Sequence, residues 1–326
     1  MKLLRITLIF SGLIVLLAAP ACRPVNSDQI PTATSTPSPL PSRTATVTAS
    51  LTPTLTQTAT ETPIPMVRFA VIGDFGLAGD DLATVAALID SWEVDFIITT
   101  GDNNYPNGSA ATIDENIGQY FHEYIYPYHG AFGDGADMNR FFPSLGNHDW
   151  YTTDARPYLD YFELPGNERY YAFSWDFIDF FVLDSEWSEP DGIGKTSLQA
   201  EWLQDGLDAS QAVWQVVYFH LTPYSSGYNG PTVHMRWPFK EWGADVVLAG
   251  HDHHYERLEI DGLTYFVNGL GGGVRYPIGE AAPGSRARYR ARHGAMLVEA
   301  TPFRMEFSFI NIDGEVIDTY ILERQN

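Results

Sequence analysis

The sequence predicts an α/β fold in which packed sheets are flanked by helices. Three observations carry this. Apolar runs of strand length recur along the chain, stretches with helical spacing fall between the early ones, and the last part is mostly strand-like. Positions 67–72 form the first apolar run. Leu82, Val85, Ala86 and Ile89 follow at helical spacing, and 94–99 is a second run, so strand, helix, strand is the economical reading. Further runs lie at 170–175, 178–183, 213–219, 246–249, 265–267, 296–298, 307–310 and 316–321, with helices expected around 113–124, 197–207 and 236–242. No repeat and no second linker breaks the region 66–326, whose length suits one large domain or two small ones.

Two segments of different character precede that region. Residues 1–21 carry Lys2 and Arg5, run apolar over 6–19 and end in small residues, the pattern of a signal peptide. The apolar run is shorter than the roughly 20 residues a bilayer-spanning helix needs. Cys22, after Ala19, Pro20 and Ala21, resembles the lipobox of bacterial lipoproteins, although that motif usually has Leu where Ala19 stands. The resemblance implies a lipidated Cys22 holding the protein at a membrane surface, with cleavage and secretion as the alternative. Residues 23–65 are Thr, Ser and Pro with almost no large apolar side chain. They cannot offset the entropy of ordering, so 22–65 is expected to be a disordered tether.

Charge and cysteine content narrow the chemistry. Of 19 basic and 41 acidic residues, four and two fall in positions 1–65, leaving 15 and 39 in the remainder, a formal charge of −24. Binding to DNA or RNA by counterion release needs clustered Lys and Arg, so nucleic acid is not an expected partner. With Cys22 as the single cysteine, intrachain disulfides and thiolate metal sites are excluded, and any metal must be held by nitrogen and oxygen.

Several apolar runs end directly in metal-competent side chains. The run through Ile72 and Gly73 leads to Asp74, and the run through Thr99 and Gly101 leads to Asp102 and Tyr105. Leu145 and Gly146 lead to Asn147 and His148. The fourth run leads to His220, and the fifth leads through Gly250 to His251, Asp252 and His253. Any one aspartate after a strand is ordinarily a turn former or helix cap, and a lone strand-end histidine is ordinarily a satisfied buried one. His251 and His253, two apart, share one face of an extended segment. Ligands of open α/β sheets gather outside the carboxyl ends of the strands, so five such endings are expected to converge on one point.

The ordered blocks GDFG (73–76), GDNNY (101–105), GNHD (146–149), a strand-terminal His220 and GHDH (250–253) resemble the calcineurin-like metallophosphoesterases, in particular the purple acid phosphatase and tartrate-resistant branch. The resemblance implies a four-layer αββα sandwich of two mixed sheets flanked by helices, with 66–326 as the catalytic domain. It also implies two metal ions, one held by Asp74, Asp102, Tyr105 and His253, the other by Asp102, Asn147, His220 and His251, with Asp102 bridging. Most of the family carry histidine two residues after the first aspartate, where this chain has Gly76. Tyr105 then supplies the missing donor, and its hard phenolate oxygen points to iron(III) at that site, with divalent iron, zinc or manganese at the other.

The activity implied is hydrolysis of small phosphorylated substrates, chiefly monoesters, by attack of a metal-held hydroxide. A phosphodiesterase or nucleotide-hydrolysing enzyme with the same site, and a noncatalytic surface lipoprotein, are the alternatives. His148 is the first choice to hydrogen-bond the phosphoryl oxygens or protonate the leaving group, with Asp149 orienting it. His234, in a GPTVH stretch resembling the GPTH of the tartrate-resistant enzymes, is a second candidate to assist the leaving group, with Val233 inserted in the match. Trp150 and Tyr151 are candidates for the substrate mouth, and NGLGGG (268–273), with no convincing helix after it, reads as a tight loop near the site.

Overall fold

A computed structural model describes residues 64–324. The expectations for 1–21, for Cys22 and for all but the last two residues of the 22–65 tether lie outside the described residues. Among the described residues no helix is long and apolar enough to cross a membrane.

Among the described residues thirteen strands form two sheets. The first holds β1 (Val67–Ile72), β2 (Phe96–Thr99), β3 (Phe141–Pro143), β11 (Gly294–Ala300), β12 (Arg304–Asn311) and β13 (Val316–Glu323), in the order β13-β12-β11-β1-β2-β3. The second holds β4 (Tyr171–Trp175), β5 (Ile178–Val182), β6 (Trp214–Leu221), β7 (Val246–Gly250), β8 (Tyr255–Ile260), β9 (Leu263–Asn268) and β10 (Ser285–Tyr289), in the order β10-β8-β9-β7-β6-β5-β4. Both are mixed. β1, β2 and β3 are parallel neighbours, as are β5, β6, β7 and β9, while β11 pairs antiparallel with β1 and β4 with β5.

Period-two alternation along the central strands builds the layers. On β6, Val216 and Tyr218 join the large core between the sheets, while Val217 and Phe219 face a second core with Leu203 and Leu207 of the helix Leu198–Ala209 and Phe239 of the helix Phe239–Trp242. β7 divides in the same way, with Val246 and Leu248 inside and Val247 and Ala249 outside. The inter-sheet core is rich in aromatics. Phe69 stacks on Phe96 at 5.1 Å, and both meet Phe180 of the other sheet edge-on at 5.3 and 5.4 Å. The helix Asp80–Asp90 buries Leu82, Val85, Ala86 and Ile89, the expected stripe, against the first sheet's side of the core. The fold is therefore two mixed sheets flanked by helices, as the sequence predicts.

The differences are local. The expected helix at 113–124 is one π turn, one α turn and one 3₁₀ turn in series. β3, β8, β10 and the short helix Arg156–Tyr161 were not expected.

Candidate metal centre

The five polar endings come together, three from one sheet and two from the other. Asp74, Asp102 and Asn147 follow β1, β2 and β3; His220 is the penultimate residue of β6, and His251 and His253 follow β7. Convergence thus occurs where the carboxyl ends of two parallel strand sets meet. Asp74, Asp102 and His251 stand at φ of 54°, 54° and 70°, the left-handed region, which turns the chain sharply at each strand end. Gly101, at φ 89°, carries the chain past His220, where a Cβ would lie 2.6 Å from Nδ1.

The side chains make two groups of contacts joined at Asp102. In one, Asp74 Oδ1 lies 3.2 Å from His253 Nε2, the Tyr105 hydroxyl lies 3.1 Å from that same nitrogen, and it donates to Asp102 Oδ2 at 3.0 Å. In the other, His220 Nε2 lies 3.4 Å from Asp102 Oδ1, 3.1 Å from Asn147 Oδ1 and 3.2 Å from His251 Nδ1. Ligand atoms of Asp74, Asp102 and His220 all fall within 4.8 Å of one another. The second nitrogens of two imidazoles are held by main-chain carbonyls, His220 Nδ1 on Thr100 at 2.8 Å and His253 Nδ1 on Val274. Each Nε2 is thereby turned inward, and a carbonyl partner of this kind fixes the tautomer of a metal-binding histidine. Asn147 donates its amide to the Tyr151 hydroxyl at 3.2 Å, which leaves its oxygen facing the site.

The chemistry of this donor set fits cations. Asp74 and Asp102 are buried, and among the described residues the ion pairs of both are with histidines, none with Lys or Arg. Burial disfavours the charge of Asp74, but His253 holds its carboxyl below the ordinary value. Burial likewise opposes a charged His220, yet Asp102 and Asp74 push it up to about 9, while burial and then His220 pull His251 down to about 4. Burial, with Asp102 beside it, drives the Tyr105 phenol well above its ordinary value, so that only a strong local cation would yield a phenolate there. Position 76 has no room for a histidine. A Cβ there would lie 2.1 Å from the carbonyl carbon and oxygen of Asn103.

His148 borders the site. Its Nε2 lies 3.9 Å from Asp102 Oδ2, its main-chain N–H donates to Asp102 Oδ1 at 2.9 Å, and its Nδ1 sits on the Pro106 carbonyl. The expectation that Asp149 orients His148 is not met. Asp149 is buried and makes no hydrogen bond to His148; its Oδ2 accepts from Gly146 N, Asn103 N and Asn103 Nδ2 at 2.9, 3.2 and 2.8 Å. It is the Pro106 carbonyl that orients the ring. His234 lies one layer out, 3.4 Å from the Ser185 carbonyl and against the Trp187 ring at 4.2 Å, with no hydrogen bond to any of the seven convergent residues. Trp150 donates to Asp184 at 2.8 Å and packs, whereas Tyr151 is exposed beside His148 at 4.7 Å.

Sequence reasoning missed Glu186, Tyr276 and Asn103. Burial pushes Glu186 up to about 7, and the charges of His220 and Asp102 bear on it. Tyr276 stacks on His253 at 4.4 Å. Asn103 spans Ser144 and Asp149 beneath the site. Glu186 was within reach, because the run at 178–183 also ends in acidic residues. Tyr276 had no signal.

A family model described as calcineurin-like phosphoesterase matches residues 67–255. Purple acid phosphatase 17 of Arabidopsis thaliana is 25% identical over 297 residues, covering 79% of this chain and 85% of that protein. Tartrate-resistant acid phosphatase type 5 of Mus musculus is 23% identical over 248 residues, 64% of this chain and 73% of that one. Among solved structures, a purple acid phosphatase from yellow lupin (Lupinus luteus) seeds superposes with a TM-score of 0.67 at 17% identity, covering 80% of this chain and 54% of that one.

Proposed function

Because the chain belongs to the calcineurin-like phosphoesterase family and is a metal-dependent phosphoric ester hydrolase, we propose that it is a phosphomonoesterase of the purple acid phosphatase kind. In this reading Asp74, Asp102, Tyr105 and His253 hold one cation, iron(III), and Asp102, Asn147, His220 and His251 hold a divalent one. The observation that carries it is the meeting of seven nitrogen and oxygen donors in two groups that share Asp102. Tyr105 supports iron(III), since a phenolate is a hard, strongly donating ligand and the main chain at Asn103 leaves no room for an imidazole at position 76.

When bound, two such cations supply Lewis-acid activation of water and of the phosphoryl group. The chain's own residues do the rest. The Thr100 and Val274 carbonyls hold protons on Nδ1 of His220 and His253, so Nε2 is the atom each ring turns to the site, and it gives up its own proton when a cation binds. His148, with Nδ1 held on Pro106, presents Nε2 at the edge of the centre, where it hydrogen-bonds a phosphoryl oxygen or passes its proton to the departing alkoxide. Exposed Tyr151 and half-buried Tyr276 lie against His148 and His253 beside the centre, while exposed Trp187 packs on His234 further out. His234 keeps a role only with a substrate long enough to reach it. Export with residues 1–21 removed, and a lipidated Cys22 bearing the domain 66–326 on the 22–65 tether, complete the reading.

Elemental analysis of the purified full chain, run beside release of phosphate from chromogenic mono- and diesters, tests it. About two metals per chain with iron among them, and faster monoester turnover, are expected. A metal-replete protein that turns over neither ester would overturn the assignment.

A further inference from the structure

The second sheet ends at β10, an edge strand whose sequence and continuation place arginine at every second position, 286, 288, 290 and 292. Charges on an edge strand discourage pairing with another chain, and that accounts for two of them. Arg286 Nε lies 2.9 Å from Glu259 and Arg292 Nη2 lies 2.8 Å from Asp313. Arg288 and Arg290 differ. Arg288 donates to the Gly279 carbonyl at 2.9 Å, Arg275 across from them reaches the carbonyls of Arg290 and Ala291, and among the described residues none of the three forms an ion pair with a carboxylate.

The three unpaired arginines are the ones that line a cavity of about 800 Å³, together with Tyr289 and His293. One carboxylate, Asp81, also lines it, and its Oδ2 lies 3.5 Å from His293 Nε2 rather than on a guanidinium. In a domain with 39 acidic and 15 basic residues carboxylates are in surplus, so three arginines that line one concavity without a carboxylate partner leave their charge to an anion from outside. The cavity shares a wall with the metal centre. Gly273 and Val274 line it, and on their other side the Gly273 N–H donates to the Asp74 carbonyl at 2.8 Å while the Val274 carbonyl takes His253 Nδ1. The tight loop read at 268–273 is thus the end of a partition between two sites.

We propose that this cavity is a second anion site, in which Arg275, Arg288 and Arg290 bind a phosphate-class oxyanion. Planar guanidinium forks match its oxygens, and three of them offset the charge of a dianion. Two sources share this chemistry, the distal phosphate of a bisphosphorylated substrate and free inorganic phosphate. The first rests on the phosphatase reading; the second does not.

The test starts with calorimetric titration of the metal-loaded full chain with inorganic phosphate at low ionic strength. Two binding events are expected. Arg288→Gln/Arg290→Gln should weaken one of them about tenfold or more, the loss usual for a charge-assisted contact. Arg286→Gln/Arg292→Gln, which removes the same charge outside the cavity, should leave both. Steady-state kinetics then separates the sources. With a distal phosphate as occupant, the KM for a hexose bisphosphate rises about tenfold in the first variant while nitrophenyl phosphate kinetics stay the same. With free phosphate as occupant, inhibition of nitrophenyl phosphate hydrolysis by phosphate loses its noncompetitive part. Identical phosphate isotherms for wild type and Arg288→Gln/Arg290→Gln overturn the site. Absence of all hydrolysis by the wild type would instead remove the phosphatase reading and leave the calorimetric result standing.

Discussion

A single methyl group at Gly76 tests whether packing dictates the donor set. The Cβ of Gly76→Ala would lie 2.1 Å from both the carbonyl carbon and oxygen of Asn103 and 2.3 Å from Asn104 N, all main-chain atoms that no rotamer change can move aside. Carbon atoms sit comfortably about 3.5–4.0 Å apart, so the 103–104 backbone must retreat by roughly 1.5 Å. That backbone is tied to Gly76 at both ends. Gly76 N–H donates to the Asp102 carbonyl at 3.2 Å and Tyr105 N–H donates to the Gly76 carbonyl at 2.7 Å, so Asp102 and Tyr105 move with it. Overpacking against an unyielding wall costs about 3 kcal/mol. For a domain of this size each kcal/mol is worth about 2–4 °C, so Tm should fall by about 6–12 °C. A displacement of about 1 Å in catalytic groups costs on the order of 100-fold in rate. Differential scanning calorimetry and phosphate release on the full-length variant measure both quantities. A Gly76→Ala protein with wild-type Tm and wild-type kcat/KM would refute the idea that the turn at 73–76 is packed shut against the Asp102 loop, and with it the reason given for Tyr105 replacing a histidine.

Tyr105→Phe removes one oxygen and keeps the ring that packs on His148 at 4.4 Å, so the fold should persist while any visible charge-transfer absorption disappears; an unchanged spectrum would dismiss Tyr105 as an iron ligand. Asn147→Ala and His220→Ala should each lower kcat/KM by about 100-fold or more, since changes even beyond the ligands themselves cost about 10–100-fold; wild-type rates in either would dismiss the second cation's proposed donors. Burial, with Asp102 nearby, pushes Asp149 up to about 7, so the folded chain keeps a proton that the unfolded chain releases near pH 4. Stability from this carboxyl is therefore full below about pH 4 and lost as the pH rises through 7, by at most about 4 kcal/mol. Asp149→Asn mimics the protonated form, and urea melts should show that it loses less stability than wild type between pH 4 and 7. Parallel curves for the two proteins would contradict the assigned shift.

The site was more legible than the sheets around it, and the reason is physical. A central parallel strand is apolar on both faces and stops abruptly, so the polar residues after β1, β2 and β7 stand out against it. β8, antiparallel to both its neighbours, hides behind Glu256, a buried carboxylate satisfied by His254 two residues before it and by Ser226, 30 residues away. β10 hides behind its alternating arginines, and β3 is three residues long. Adjacency misled at Asp149. It opens a 3₁₀ turn that starts beside His148, and there the two side chains take different partners, His148 the Pro106 carbonyl and Asp149 the amides of Gly146 and Asn103. The steric block at Gly76 was invisible because it comes from backbone 27 residues further along the chain.

The left-handed residues bring fold and site together. Several non-glycine residues in that conformation belong to turns away from the centre, among them Glu93, Asp176 and Asp261, but Asp74, Asp102 and His251 are all convergent donors. The left-handed conformation costs an L-residue about 1–2 kcal/mol, least for the short polar types, and glycine would relieve it. Glycines are in fact the neighbours at 73, 101 and 250, where a Cβ would strike Thr100, His220 or Asp74. The chain thus places glycine where space is short and keeps a carboxylate or imidazole where the backbone is strained. Packing alone would not select that division. It follows if each sharp turn must deliver a donor atom to one point at the junction of the two sheets, and the strain is then a cost of assembling the centre, offset by the close packing around it.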